Sequence, residues 1–292
     1  MLNAVLFLAT VLIWGTTWIA ITMQMGPVPV LVSVFYRFAL AGVLLLALLV
    51  VSGRLRLPEW RHQPFILAQA LCLFCCNFIC FYTAAAYVPS GVESVIFSLA
   101  TLYNAVNARL FYKEPIARRT LVAAVVGFAG ICLLFSHDLA EASNLDSLKG
   151  AGLCLLGTLF FSLGNMVSRR NSAAGIPPAL ANGWGMTYGA LILLVLVGLT
   201  GAPLTPPPDS RYLGALLYLA VVGSIIGFTV YLLLVARIGS SKAAYCTVLF
   251  PVIALALSSV YEGYQWTLAG GLGLALCLAG NLVMFAKKRV AA

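Results

Sequence analysis

The chain has 292 residues, 62% of them hydrophobic and 9% charged, and its mean hydropathy is +1.03. Soluble domains carry about 25% charged residues, so the composition excludes a water-soluble fold and specifies an integral membrane protein. The formal charge of +9 would suit an anionic partner if it were clustered, but the basic residues are dispersed over short loops, where they act as topology signals.

Ten apolar segments approach the roughly 20 residues that a helix needs to cross the hydrocarbon layer. They run at about 3–23, 29–51, 64–86, 90–112, 119–136, 150–169, 179–199, 211–235, 241–261 and 267–286. Gly26-Pro27-Val28-Pro29, Pro58, Pro64, Pro89, Pro115, Pro177-Pro178 and Pro206-Pro207-Pro208 fall between them as breakers. The first segment follows Met-Leu-Asn, with neither the basic n-region nor the cleavage site of a signal peptide, and is expected to be a retained helix.

Span one holds Trp14-Gly15-Thr16-Thr17-Trp18, two indoles four residues apart on one face in mid-span. They are either packing or a stacking wall for an aromatic or cationic ligand. In span two, Arg37 lies about a third of the way in from one end, placed either to snorkel outward or to pair with Glu93. Span three carries Cys72, Cys75, Cys76 and Cys80 on one face. They resemble a metal comb, but the two histidines, His62 and His137, fall in loops on opposite sides, and a metal site needs ligands that converge from several elements. All eight cysteines read as small buried residues, and no metal is expected. Asn77 and Tyr82 in the same span can hydrogen-bond either a substrate or a neighbouring helix.

In span four, Ser90, Glu93, Phe97, Thr101, Asn104 and Asn107 recur every three or four residues and share one face. Such a face belongs inside a bundle, as a polar seam or as a substrate wall, and an intramembrane carboxylate is by default a site hypothesis. Asn165 in span six, Ser224 in span eight and Tyr245 in span nine mirror that wall. Gly185-x-x-x-Gly189 and Gly223-x-x-x-Gly227 read as helix-packing faces.

Counting loops alternately, one side holds Arg54, Arg56, Arg61, Lys113, Arg118, Arg119, Arg169, Arg170, Arg237, Lys242, Lys287, Lys288 and Arg289; the other holds Lys149 and Arg211 among five acids. Both termini are therefore expected in the cytoplasm. The chain also repeats itself. Trp14 lies over Phe161, Tyr82 over Tyr231, Glu93 over Lys242 and Glu114 over Glu262, at offsets of 147 to 149. Two five-helix halves, 1–137 and 149–287, follow. Since five is odd, the second half is inverted, which places a binding site at the interface of the halves near the midplane. No hydrolase motif, P-loop, dinucleotide turn or histidine-bearing catalytic cluster is present, so no enzyme and no cofactor are expected. A gradient-driven carrier remains.

The Trp14-Gly15 pair, the Gly91-x-Glu93-Ser94 opening of span four, Glu114 with its counterpart Glu262, and the last helix rich in Gly270, Gly271, Gly273 and Gly280 resemble the EamA-type ten-helix carriers of the drug/metabolite transporter superfamily. Within it the chain looks most like bacterial exporters of the YddG type. That resemblance implies an all-α fold of ten transmembrane helices in two inverted repeats around a cavity built by spans one, three, four, six, eight and nine. It also implies a multi-pass protein of the bacterial inner membrane that exports aromatic and other neutral amino acids, with cationic drugs such as methyl viologen as further substrates. Trp14, Trp18, Phe97 and Tyr245 would then clasp the apolar part of the substrate. Asn77, Tyr82, Glu93, Thr101, Asn165 and Ser224 would meet its polar ends, with Glu93 as amine contact or proton-coupling group. One departure is Pro251 in mid-span nine, where the first half has Leu102-Tyr103. A nucleotide-sugar or sugar-phosphate carrier would need several basic residues on the cavity wall and has Arg37 alone; a membrane-embedded enzyme or a channel would need a catalytic cluster or a continuous polar lining.

Overall fold

A backbone in hydrocarbon must satisfy its own hydrogen bonds, and runs of apolar residues therefore fold as helix. The computed structural model describes residues 2–116, 118–134, 145–238 and 246–285, and among these every regular element is helical. In chain order they are α1 (Leu2–Thr22), α2 (Val30–Val51), α3 (Gln63–Gln69), α4 (Asn77–Ala84), α5 (Ser90–Phe97), α6 (Ala100–Tyr112), α7 (Arg118–Leu134), α8 (Leu145–Ala173), α9 (Pro178–Thr200), α10 (Ser210–Leu217), α11 (Gly227–Ile238), α12 (Cys246–Tyr261) and α13 (Leu268–Phe285). Six uninterrupted stretches are long and apolar enough to cross a membrane: Leu2–Thr22, Val30–Val51, Trp60–Ala84, Leu145–Ala173, Pro178–Thr200 and Ser210–Tyr231. Helix occupies all or part of the other predicted stretches in shorter or broken pieces. The beginning of the ninth lies outside the described residues, as do His137, Lys242, Tyr245 and the basic cluster at 287–289.

Three departures from straight α-helix matter for the site. A π-helical segment, Ala70–Cys76, joins α3 to α4, and a second, Tyr218–Ile226, joins α10 to α11, beginning 148 residues later. Such wide turns leave a carbonyl without its regular partner and cluster at functional sites. Between α5 and α6 the helix breaks at Ser98 and Leu99. There Ser94 Oγ donates to the Gly91 carbonyl and Ser98 Oγ to the Val95 carbonyl, both at 2.6 Å, and back-bonding of this kind bends helices. α12 carries Pro251 inside a continuous helix, where it removes an i to i−4 bond.

Glycine sets the closest approaches. A Cβ on Gly273 would lie 2.7 Å from the Gly130 carbonyl oxygen and one on Gly280 would lie 2.9 Å from that of Ala123, so α7 and α13 touch backbone to backbone. α2 and α9 pair similarly, with Gly42 against Thr187. The outer surfaces of these pairs are apolar and exposed: Leu121, Val125 and Phe128 on α7, Val43 and Val51 on α2, Leu191 and Val195 on α9. Such belts suit lipid tails. The interior lies between α1, α4, α5, α8, α12 and the second π segment, where Trp18, Phe81, Phe97, Phe161 and Phe250 form one buried cluster.

Candidate functional site

Aromatic side chains dominate the middle of the bundle. Trp18 meets Phe81 edge-on at 5.0 Å and Phe97 at 5.5 Å, and stacks on Phe250 at 6.4 Å. Phe97 in turn meets Phe161 at 4.7 Å. One helical turn along α1, Trp14 packs against Phe228 at 5.5 Å and Tyr231 at 4.8 Å. These rings, Tyr231 apart, line a cavity of about 60 Å³, whose wall also includes Thr17, Arg37, Asn77 and Gly223. A water takes about 30 Å³ of liquid volume, so the chamber as it stands is too small for a metabolite.

The glycines of Gly223-x-x-x-Gly227 face α1. A Cβ at Gly223 would lie 2.8 Å from the Thr17 methyl and one at Gly227 would lie 2.8 Å from Trp14 Nε1. Their absent side chains are what let Thr17 and Trp14 of α1 lie against the second π segment and the start of α11.

Arg37 overturns both expectations for it. It does not snorkel, being 2% exposed, and it does not pair with Glu93. Its Nε donates to Ser224 Oγ at 3.2 Å and its Nη1 to the Tyr82 hydroxyl at 3.4 Å, while Tyr82 donates to Gln24 Oε1 at 2.8 Å. The guanidinium also lies 4.4 Å from the Phe78 ring centre. Equal depth along two helices does not make two side chains face each other, and Arg37 points instead toward the second π segment. Among the described residues no carboxylate pairs with it. It is a buried cation on an aromatic wall, held in position by neutral hydroxyls.

Glu93 lies one turn from Phe97 toward the Ser90 end. It is fully buried, and neither carboxylate oxygen has a hydrogen-bond partner. Ser258, on the helix that faces it, also has an unpartnered buried hydroxyl. One turn further out, Glu262 joins three helix ends. It accepts from the Ser90 amide at 3.2 Å, from the Ser90 hydroxyl, and from Thr22 Oγ1 at 3.0 Å. This capping of α5 from another helix draws together the ends of α1, α5 and α12. At the opposite end Glu114 meets Arg169 at 2.6 Å, with both side chains 48% exposed. The hydrogen bond from Arg169 holds the Glu114 carboxyl below its ordinary value. One end of the bundle is thus clasped by a shielded carboxylate and the other by a solvated pair.

Of the residues singled out from the sequence, Trp14, Trp18, Asn77 and Phe97 line the chamber. Asn77 also donates to the Gly157 carbonyl at 2.9 Å, tying α4 to α8. Tyr82 and Ser224 stand behind Arg37 instead of on the wall. Thr101 is buried and donates to the Ser98 carbonyl at 3.2 Å, across the break between α5 and α6. Asn165 donates to Asn104 Oδ1 at 3.4 Å and Asn107 to Ser162 Oγ at 2.8 Å, a seam between α6 and α8 away from the chamber. Tyr245 lies outside the described residues. Phe78, Phe81, Phe228 and Phe250 also line the chamber; for Phe78 and Phe81 the spacing Phe74, Phe78, Phe81 in span three is the one signal in the sequence, and it also fits ordinary core. Among the described residues no three histidine, cysteine or acidic side chains converge as for a metal.

Comparison with known proteins places this architecture. The model of the EamA-like transporter family matches residues 1–136 and again 148–286. The chain is 30% identical to an uncharacterized inner membrane transporter of Escherichia coli K12, YedA, over 97% of this chain and 92% of the relative. It is 28% identical to protein PecM of Dickeya dadantii, over 74% of this chain and 69% of PecM. A WAT1-related chloroplastic protein of Arabidopsis thaliana is 29% identical over 85% of this chain and 61% of its own length. One crystal structure superposes with a TM-score of 0.69 at 20% identity, covering 96% of this chain and 95% of its own, a likeness of fold. The chain belongs to the EamA-like transporter family and is a membrane transporter.

Proposed function

We propose that the protein is a ten-span carrier of two inverted halves, 1–137 and 149–287, that exports small amphipathic metabolites carrying a carboxylate, aromatic or other neutral amino acids foremost, by alternating access. The arginine-rich end, with both termini, faces the cytoplasm. The observation that carries this reading is Arg37, a buried guanidinium without an acidic partner on a wall of Trp14, Trp18, Phe97 and Phe250. A cation so placed matches a carboxylate, and the rings match an apolar or aromatic side chain. A phosphorylated substrate would bring at least two charges to a wall where, among the described residues, Arg37 is the one cation.

The two matched stretches of the family model and the two π segments 148 residues apart support the inverted halves. Glu93 supplies the second polar contact. A carboxylate buried without a donor is costly in hydrocarbon, and the substrate amine or a translocated proton relieves it when the chamber opens. Thr101 and Asn165 line the path toward the arginine-rich end. Glu262 is the outer clasp that must release Thr22 and Ser90 for substrate to leave. Transport of a panel of amino acids by the purified protein in proteoliposomes, with and without a pH gradient, tests the reading. No counterflow of any amino acid would sink it.

A further inference from the structure

A second and larger cavity, of about 700 Å³, lies at the arginine-rich end, beside the last turns of α2. Leu45, Leu48 and Leu49 of α2, Leu180 of α9 and Thr229 of α11 form its apolar wall. Leu48 and Thr229 are also exposed on the outer surface, so the cavity is a groove open toward lipid. Its mouth carries Arg54, Arg56 and Arg61. Glu59 is paired with Arg61 at 2.7 Å, whereas among the described residues Arg54 and Arg56 have no carboxylate partner. His62 adds a donor to the same wall. Arg170 donates to its Nδ1 at 3.0 Å, and since arginine cannot accept, Nε2 carries the ring proton.

The loop itself sits at headgroup depth. Trp60 is 89% and Leu57 71% exposed, and an exposed indole among arginines beside an apolar belt marks the membrane interface. The indole of Trp184 donates to the Arg56 carbonyl at 2.9 Å and fixes the loop against α9. Two uncompensated guanidinium groups above an apolar channel thus complement a molecule with an anionic head and hydrocarbon tails.

We propose that this groove binds an anionic phospholipid, its phosphate on Arg54 and Arg56 and an acyl chain along Leu45, Leu48 and Leu49. The site is separate from the transport chamber and holds whichever way the carrier runs.

The test uses the full chain, delipidated in detergent, with phosphatidylglycerol, phosphatidylethanolamine or inorganic phosphate added. Thermal unfolding and native mass spectrometry follow the lipid. Phosphatidylglycerol should raise the unfolding temperature and remain bound, and the other two should not. The double variant Arg54→Gln with Arg56→Gln should weaken phosphatidylglycerol binding roughly tenfold or more, from about 1 kcal/mol per arginine at tenfold per 1.4 kcal/mol. Arg118→Gln, at the same end but outside the groove, should leave it unchanged. Thr229→Phe fills the groove with the arginines intact and should also weaken binding. Equal response to the two lipids, a phosphate effect as large as the lipid effect, or equal losses in Arg118→Gln and the double variant would overturn the proposal.

Discussion

Replacing Arg37 by Gln separates recognition of a carboxylate from packing. The glutamine amide nitrogen falls about where the arginine Nε stands and can still donate to Ser224, now at 3.2 Å; Tyr82, which Nη1 meets at 3.4 Å, loses that donor and keeps its bond to Gln24. What is lost is the charge. A net hydrogen bond to a charged group contributes about 1.5–3 kcal/mol, and with tenfold per 1.4 kcal/mol the apparent affinity for an amino acid should fall by about 10- to 150-fold. The decarboxylated amine of the same amino acid lacks the group that Arg37 meets, and its binding should change by less than about threefold, under 0.7 kcal/mol. The assay is competition by both compounds against counterflow of the best-carried amino acid, in proteoliposomes of the wild type, Arg37→Gln and Arg37→Lys. Lysine should restore part of the affinity, since it keeps the charge without the planar fork. Equal loss for the amino acid and the amine would refute the role of Arg37 and leave it a structural cation.

Three further outcomes follow from the geometry. Gly227→Ala puts a methyl 2.8 Å from Trp14 Nε1, and at the about 1–3 kcal/mol of overpacking it should lower the unfolding temperature. Gly214→Ala, whose Cβ meets nothing within 4 Å, should leave it unchanged or raise it. Glu262→Ala removes the acceptor shared by Ser90 and Thr22, so a Thr22→Cys thiol should react faster with a membrane-impermeant maleimide in that background; unchanged labelling would mean that Glu262 clasps nothing. The Glu114 carboxyl is held low by Arg169, so their contact is complete above the ordinary carboxylate value of 4.5 and is lost as pH falls below it. Since both groups are half exposed, the effect stays within the ~0–1 kcal/mol of a surface pair. Arg169→Gln should flatten the acid limb of the unfolding temperature by that small amount.

Much of the fold was legible because the bilayer reduces the problem to apolar length. Helix ends fall within a few residues of the breakers Pro29, Pro89 and Pro177. Apolar length places the sixth stretch at about 150–169, whereas the helix runs Leu145–Ala173, because hydrocarbon thickness bounds the apolar part of a helix and not its polar extensions. The π segments had no signal, since Ala70–Cys76 and Tyr218–Ile226 are composed like any buried helix.

Of the side chains lining the chamber, Trp14, Trp18 and Asn77 stand out in the sequence because a polar or indole side chain in mid-span demands a reason, and Phe97 because it shares the polar face of span four. Phe81, Phe228 and Phe250 do not, because phenylalanine at helical spacing is also what a core requires. The Arg37 contact failed for a geometric reason: sequence gives depth along a helix, while azimuth depends on packing. The repeat offset aligned Tyr82 with Tyr231, yet Tyr82 hydrogen-bonds near Arg37 and Tyr231 packs on Trp14. Positions paired by the offset thus differ in chemistry.

The most direct measurement is counterflow of a labelled neutral or aromatic amino acid in proteoliposomes of the purified protein, across a range of pH, for the wild type and Glu93→Gln. Accumulation driven by unlabelled amino acid inside, with a rate that depends on pH in the wild type and loses that dependence in Glu93→Gln, is the expected result. Absence of counterflow across the amino-acid panel, or a Glu93→Gln protein indistinguishable in rate and pH dependence, would contradict the account.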